Sequence, residues 1–246
     1  MNGLGTSDWS SGLGETAHEI LDGLQQVAAE RDVRAAEPAL AERVMAVKCH
    51  QHARFAQTYA DLAAQPRYRE ATRFFLDELY GPGDFSSRDA QFARIVPALV
   101  RLFPREIVAT VADLSTLHAL SEQLDTAMAR TLNVDAMPAA AYAAAWRAVG
   151  QPAQRERQIR LMLAVGESLD RHTRSPLLRN SLRLMRRPAE AAGLGALQRF
   201  LESGFSSFRA MNGAAEFLGL VAERERSLAQ HLFGGGDVNS PGGGVS

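Results

Sequence analysis

The chain of 246 residues has a single cysteine, Cys49, and a single lysine, Lys48. One cysteine excludes an internal disulfide framework and any metal site built from several thiolates, and it fits a reducing, cytoplasmic setting. With one lysine among 27 basic residues, the remaining 26 are arginines. Together with abundant alanine, that bias reads first as a GC-rich coding sequence and only distantly as phosphate recognition. The formal net charge is −1, which removes any global electrostatic case for nucleic acid or anionic membranes. No apolar run nears the roughly 18 residues of a membrane helix, and no basic cluster followed by an apolar stretch marks the N-terminus as a leader. Also missing are a repeat of fixed period, strand-like alternation, a phosphate-binding glycine loop, and Ser-His-Asp or Cys-His order.

What remains is a globular composition, 46% hydrophobic and 22% charged, with helical periodicity from end to end. Expected helices cover residues 15–31, 38–64, a segment ending at 80, 87–103, 104–132, 138–149, 151–173, 175–187, 195–211 and 213–233. Short connections imply antiparallel neighbours, hence an all-α, up-and-down bundle of about eight to ten helices. The expected organisation is a flexible N-terminus over 1–14, one helical domain over 15–233, and a disordered glycine-rich tail over 234–246. Pro97 predicts a kink near Val96 and Pro188 the end of its helix.

The least ordinary stretch is residues 74–89, FFLDELYGPGDFSSRD. Phe74, Phe75, Leu76, Leu79 and Tyr80 make an apolar stripe too wide for a surface helix, so this segment is expected at the centre of the bundle. Gly81 suits a left-handed helix end and Pro82 forbids continuation. Asp84 or Ser86 can cap the next helix, and Asp89 places negative charge in its first turn. The pattern F-F-L-x-x-L-Y-G-x-x-D-F-x-x-R-D, carried by Phe74, Phe75, Leu76, Leu79, Tyr80, Gly81, Asp84, Phe85, Arg88 and Asp89, resembles a family of proteobacterial proteins without an assigned function. The resemblance spans roughly residues 15–232 and implies membership but no chemistry.

Four chemistries are open to test. Cys49 and His52 share a helix face at i, i+3, yet supply only half of a tetrahedral metal site. Glu15 and His18 form the only Glu-x-x-His pair, where a di-iron bundle needs two, so no metal site is assigned. A haem-binding His118 or His172 is neither supported nor excluded, which leaves the cofactor unknown. Nine arginines between Arg155 and Arg187 face three acids. A solvated face, or one paired with acids among residues 216–225, is the ordinary reading of that run, and a nucleic-acid surface is the sharper one. Finally Tyr80, Asp84, Arg88, Asp89 and His118 are the candidate ligand-binding residues, with Asp84 or Asp89 as a general base and Arg88 as an anion clamp. Helix capping and ion pairing are the bland alternative. The functional expectation is a non-enzymatic interaction or small-ligand-binding protein, the alternative an enzyme or cofactor carrier with a pocket near residues 74–89. A homodimer through the alanine-rich helix with Tyr142 and Trp146 is also expected.

Overall fold

Helix α1, Glu15–Ala36, buries Ala17, Ile20, Leu24 and Val27 on one face at the three-to-four-residue rhythm. In the computed structural model, which describes residues 14–79, 81–132 and 137–235, that face lies against helix α6, Arg105–Thr131. The two backbones approach closely at Gly23. A β-carbon there would sit 2.3 Å from the Ser115 hydroxyl, which donates to the Ile20 carbonyl at 2.8 Å. Glycine is thus needed at that crossing for space rather than for its dihedral freedom.

Eleven α-helices and one π-helical segment account for the described residues, with no strand among them. The others are α2 Pro38–Thr58, α3 Ala60–Ala64, α4 Arg69–Phe74 running into the π-helical Phe75–Leu79, α5 Ser86–Leu102, α7 Ala139–Val149, α8 Pro152–Thr173, α9 Pro176–Ala191, α10 Gly195–Ala210 and α11 Ala215–Phe233. The expected helix over 38–64 is divided at Tyr59, whose backbone leaves the helical region. The chain is all-α, as its periodicity implies.

The central member is α6, not the segment at 74–79. Helix α6 is 27 residues long, about 40 Å, and packs against α1, α2, α5, α7 and α8. Small or apolar residues on nearly all its sides, such as Val108, Ala112, Ala119, Leu124 and Met128, allow this. Phe74 and Phe75 are nonetheless deeply buried. Phe75 anchors an aromatic cluster, with ring centroids 5.5 Å from Phe217, 6.1 Å from Phe208 and 6.3 Å from Phe55.

Other local expectations are revised. Gly81 is not at positive φ; a β-carbon on it would fall 2.2 Å from the Asp77 carbonyl oxygen, so close backbone approach is what selects glycine. Neither Asp84 nor Ser86 is the N-cap of α5, which is Phe85 without a side-chain cap; Asp84, one residue earlier, accepts from the Ser86 N–H at 2.8 Å and from its hydroxyl at 3.0 Å. Helix α5 runs through Pro97, and α9 runs one turn beyond the start expected of its end, through Pro188 to Ala191. Proline removes one N–H from each helix, a loss the flanking turns absorb. Ser175 caps α9 as expected, accepting from Leu178 N–H. Tyr142 and Trp146, proposed for a dimer contact, are 1% and 8% exposed inside the chain's own core, so their surface serves intramolecular packing. Of the expected terminal segments 1–14 and 234–246, residues 1–13 and 236–246 lie outside the described residues, as does Tyr80.

Candidate functional site

The sequence places His118, Ser121, Glu122 and Asp125 at i, i+3, i+4 and i+7 on α6, one face of a helix otherwise built for burial. Buried polar groups must find partners, and here they find them on four other helices, α1, α2, α5 and α8. A cavity of about 150 Å³ runs along this face. Leu24 of α1, Phe92 of α5, Val111, Leu114 and Leu117 of α6, Ile159 and Met162 of α8, and Leu197 and Phe200 of α10 give it apolar walls.

At one end stands Asp89, 8% exposed. His118 Nε2 lies 2.9 Å from Asp89 Oδ2, and Arg31 donates to the same oxygen at 2.6 Å. Arg88 Nε is 3.5 Å from Oδ1. Burial alone would raise the Asp89 carboxyl, but the hydrogen bond and charge of His118, with Arg31 and Arg88, hold it down at about 2. The Arg88 guanidinium lies over Phe85 at 4.2 Å and Phe200 at 4.6 Å, and reaches Glu78 at 3.3 Å.

Midway, Gln158 donates to Ser121 Oγ at 2.8 Å, and that hydroxyl donates to the Leu117 carbonyl at 2.8 Å. One turn on, Glu122 is clamped between Arg34 and Lys48, the latter at 2.6 Å. Arg34 also donates to Thr126 Oγ1 and the Glu122 carbonyl. Burial opposes ionisation of Glu122, but Lys48 and Arg34 overcome it and bring the carboxyl to about 2. Asp125 accepts from Gln51 at 2.9 Å, and burial raises its carboxyl above the ordinary range. Arg54 pairs with Glu225 at 2.5 Å, and the Tyr59 hydroxyl donates to the same oxygen at 2.8 Å. Arg155, only 3% exposed, stacks 3.8 Å over Trp146 and donates to Gln158 and to Met128 Sδ.

Of the residues singled out from sequence, Arg88, Asp89 and His118 therefore meet at this cavity. Asp84 does not join them: it is exposed, and its carboxylate serves the start of α5. Tyr80 lies outside the described residues. Lys48, Gln51, Glu122, Asp125, Trp146, Arg155 and Glu225 were not among the candidates. The signal for two of them was present, since Glu122 and Asp125 extend the His118 face of α6. Arg155 was hidden in the arginine-rich run.

Of the remaining arginines of that run, Arg157, Arg160, Arg183 and Arg187 are exposed, as a solvated face implies, and two pair with acids outside residues 216–225. Arg174 pairs with Asp170 at 2.6 Å and Arg186 with Glu202 at 2.7 Å, while Glu216 and Glu225 are taken by Arg67 and Arg54. For metals, Cys49 is exposed and His50 stacks on Tyr142 at 4.3 Å. Among the described residues no three His, Cys, Asp or Glu side chains converge in a metal-binding arrangement, and no helix is long and apolar enough to cross a membrane.

A family model described as "Domain of unknown function (DUF8198)" matches residues 30–238. No curated protein and no solved structure matches the chain.

Proposed function

We propose, for a chain that belongs to the DUF8198 family and so to a family without an assigned activity, that it is a small-ligand-binding helical protein whose site is the cavity beside α6. One observation carries this reading: apolar walls and a continuous row of buried polar side chains face the same space of about 150 Å³. A core that served only stability would gain by closing such a space, since cavities and buried charges both cost free energy. Binding sites have this mixed character, with a mostly apolar lining and a few convergent polar groups. An engineered apolar cavity of similar volume takes a molecule about the size of benzene, which sets the scale of the occupant. A cytoplasmic location belongs to the same reading and rests on the lone, exposed thiol.

Melting curves with a panel of ring-sized fragments test it. Ligands that enter the site raise Tm in proportion to the logarithm of their concentration above Kd, and Leu114→Trp, which places an indole into the cavity, abolishes the rise. Fragment-induced shifts of the same size in parent and variant would contradict the assignment.

A second reading is an enzyme, favoured by the Asp89–His118 couple. His118 itself, with Arg31 and Arg88, keeps Asp89 ionised, and Asp89 orients the imidazole at the cavity wall. That is an arrangement suited to proton transfer. It would show as turnover lost in His118→Gln while fragment binding persists.

A further inference from the structure

Leu177, Leu178, Leu182, Leu184, Met185 and Ala189 fall on one arc of α9, about 160° wide at the helical period. The bundle uses only part of it. Ala189 is buried and Leu178 and Leu182 are half-buried where α9 packs against α10 and α8, and Gln198 of α10 donates to the Leu182 carbonyl at 2.7 Å. The other flank of the arc is open, with Leu177 75%, Leu184 77% and Met185 52% exposed. His172, just before α9, lies 3.4 Å from Thr110 of α6, which brings the corner between α5 and α6 to the end of the bundle where α9 begins. That corner carries Leu102 and Phe103, both exposed. A lone exposed leucine needs no explanation. Here, however, eight large apolar side chains are exposed among the described residues, and five of them belong to α9 or this corner.

Arginine borders both patches. Arg183 and Arg187 occupy the arc beside Leu184, and Arg101 and Arg105 flank the corner; all four are exposed and make no ion pair among the described residues. Glu202, the acid nearest Arg183, is held by Arg186. Glu190 is the one acid of α9 and Glu106 the one beside the corner. This face is therefore basic, although the chain as a whole carries a net charge of −1. A basic amphipathic helix suits an anionic bilayer surface or an acidic protein partner, and shape decides between them. Leucines three-quarters exposed have no wall beside them, whereas a partner's helix lies in a groove and tight protein contacts fill pockets. Nor can a partner wrap α9, whose inner side is held by α10. A bilayer needs no concavity: it takes protruding apolar side chains while arginines beside them reach the phosphates. A second copy suits the face least, because a two-fold contact brings the same basic patch to both sides.

We infer that α9 and the α5–α6 corner dock the protein on an anionic phospholipid bilayer, with Leu177, Leu184 and Leu102 entering the acyl boundary and the four bordering arginines meeting lipid phosphates. The helix lies on the surface and does not cross it. This face is separate from the cavity beside α6, and neither reading depends on the other. Co-sedimentation of the full chain with vesicles tests it, one set of phosphatidylcholine alone and one with a third of its lipid as phosphatidylserine. Binding to the second set is expected to be at least tenfold tighter than to the first and to weaken as salt is raised. Leu184 touches little of the bundle, so Leu184→Asp keeps the fold, which circular dichroism checks, and should lower binding at least tenfold. Arg183→Gln with Arg187→Gln should remove most of the preference for phosphatidylserine. Equal binding of the parent to the two sets, or undiminished binding of the folded Leu184→Asp protein, overturns the inference. So does a parent that leaves both sets unbound. In that case a dimer by light scattering that Leu184→Asp dissociates gives the face to a second copy, and saturable binding of a synthetic acidic amphipathic helix, lost in the same variant, gives it to a protein partner.

Discussion

Glu122 holds together three helices, through Arg34 of α1, Lys48 of α2 and its own place on α6, and its removal is the sharpest test of the buried polar row. Glu122→Gln keeps the shape and removes the charge, leaving two buried cations without their shared anion. Breaking a buried ion pair from one side costs about 3–5 kcal/mol. The carboxyl itself gives an independent figure. Its folded value of about 2 lies below the ordinary 4.5, and a shift of that size corresponds to about 3 kcal/mol. The sign follows from the depression: the contribution is complete above the unfolded value near 4.5 and is lost as pH falls toward 2. Urea denaturation of parent and variant at pH 7 should therefore differ by about 3 kcal/mol, and the gap should shrink to about 1 kcal/mol near pH 3. Taking the difference cancels the other carboxylates. A gap under about 1 kcal/mol at pH 7, or one that does not close on acidification, would refute the reasoning.

Gly81→Ala should destabilise by about 1–3 kcal/mol, because the added carbon meets the Asp77 carbonyl and the backbone after the π-helical segment must move; a denaturant midpoint within error of the parent would show the segment is slack. Asp84→Ala should cost about 0.5–2 kcal/mol and Ser86→Ala distinctly less, since the carboxylate and not the hydroxyl takes the free N–H. Gly23→Ala should cost about 1–3 kcal/mol by forcing α1 away from α6, and Ser115→Ala should rescue part of it by removing the atom the new methyl strikes. By contrast Leu184→Asp on α9, where the side chain is 77% exposed, should change stability by no more than about 0.5 kcal/mol.

Helical periodicity made the fold class legible, because each helix repeats its burial pattern over several turns and local errors average out. Boundaries were read well where a proline opens a helix, as at Pro38, Pro152 and Pro176. They were read poorly where a proline sits inside one, since the cost of a single missing bond is small beside the packing of a whole helix. The centre of the bundle was misplaced because aromatic density at residues 74–80 was weighed above length. In the folded chain the close approach of α1 at Gly23 puts α6 at the axis instead. At the site, Arg88, Asp89 and His118 stood out as unusual residue types beside a strong break, and they line one cavity. Lys48, Arg155 and Glu225 did not, because each lies on a different helix and only the tertiary arrangement brings them to α6. Arg155 shows the limit most clearly: neighbours in sequence made it one arginine of a solvated run, whereas Trp146 and Met128 bury it.

The central claim, that the space beside α6 exists to hold a small molecule, is tested most directly by native mass spectrometry of the protein as purified, parent beside Leu114→Trp. The account predicts a stoichiometric, dissociable mass on the parent that is missing from the folded variant. Identical spectra for the two, whether both bare or both carrying the same mass, would contradict it.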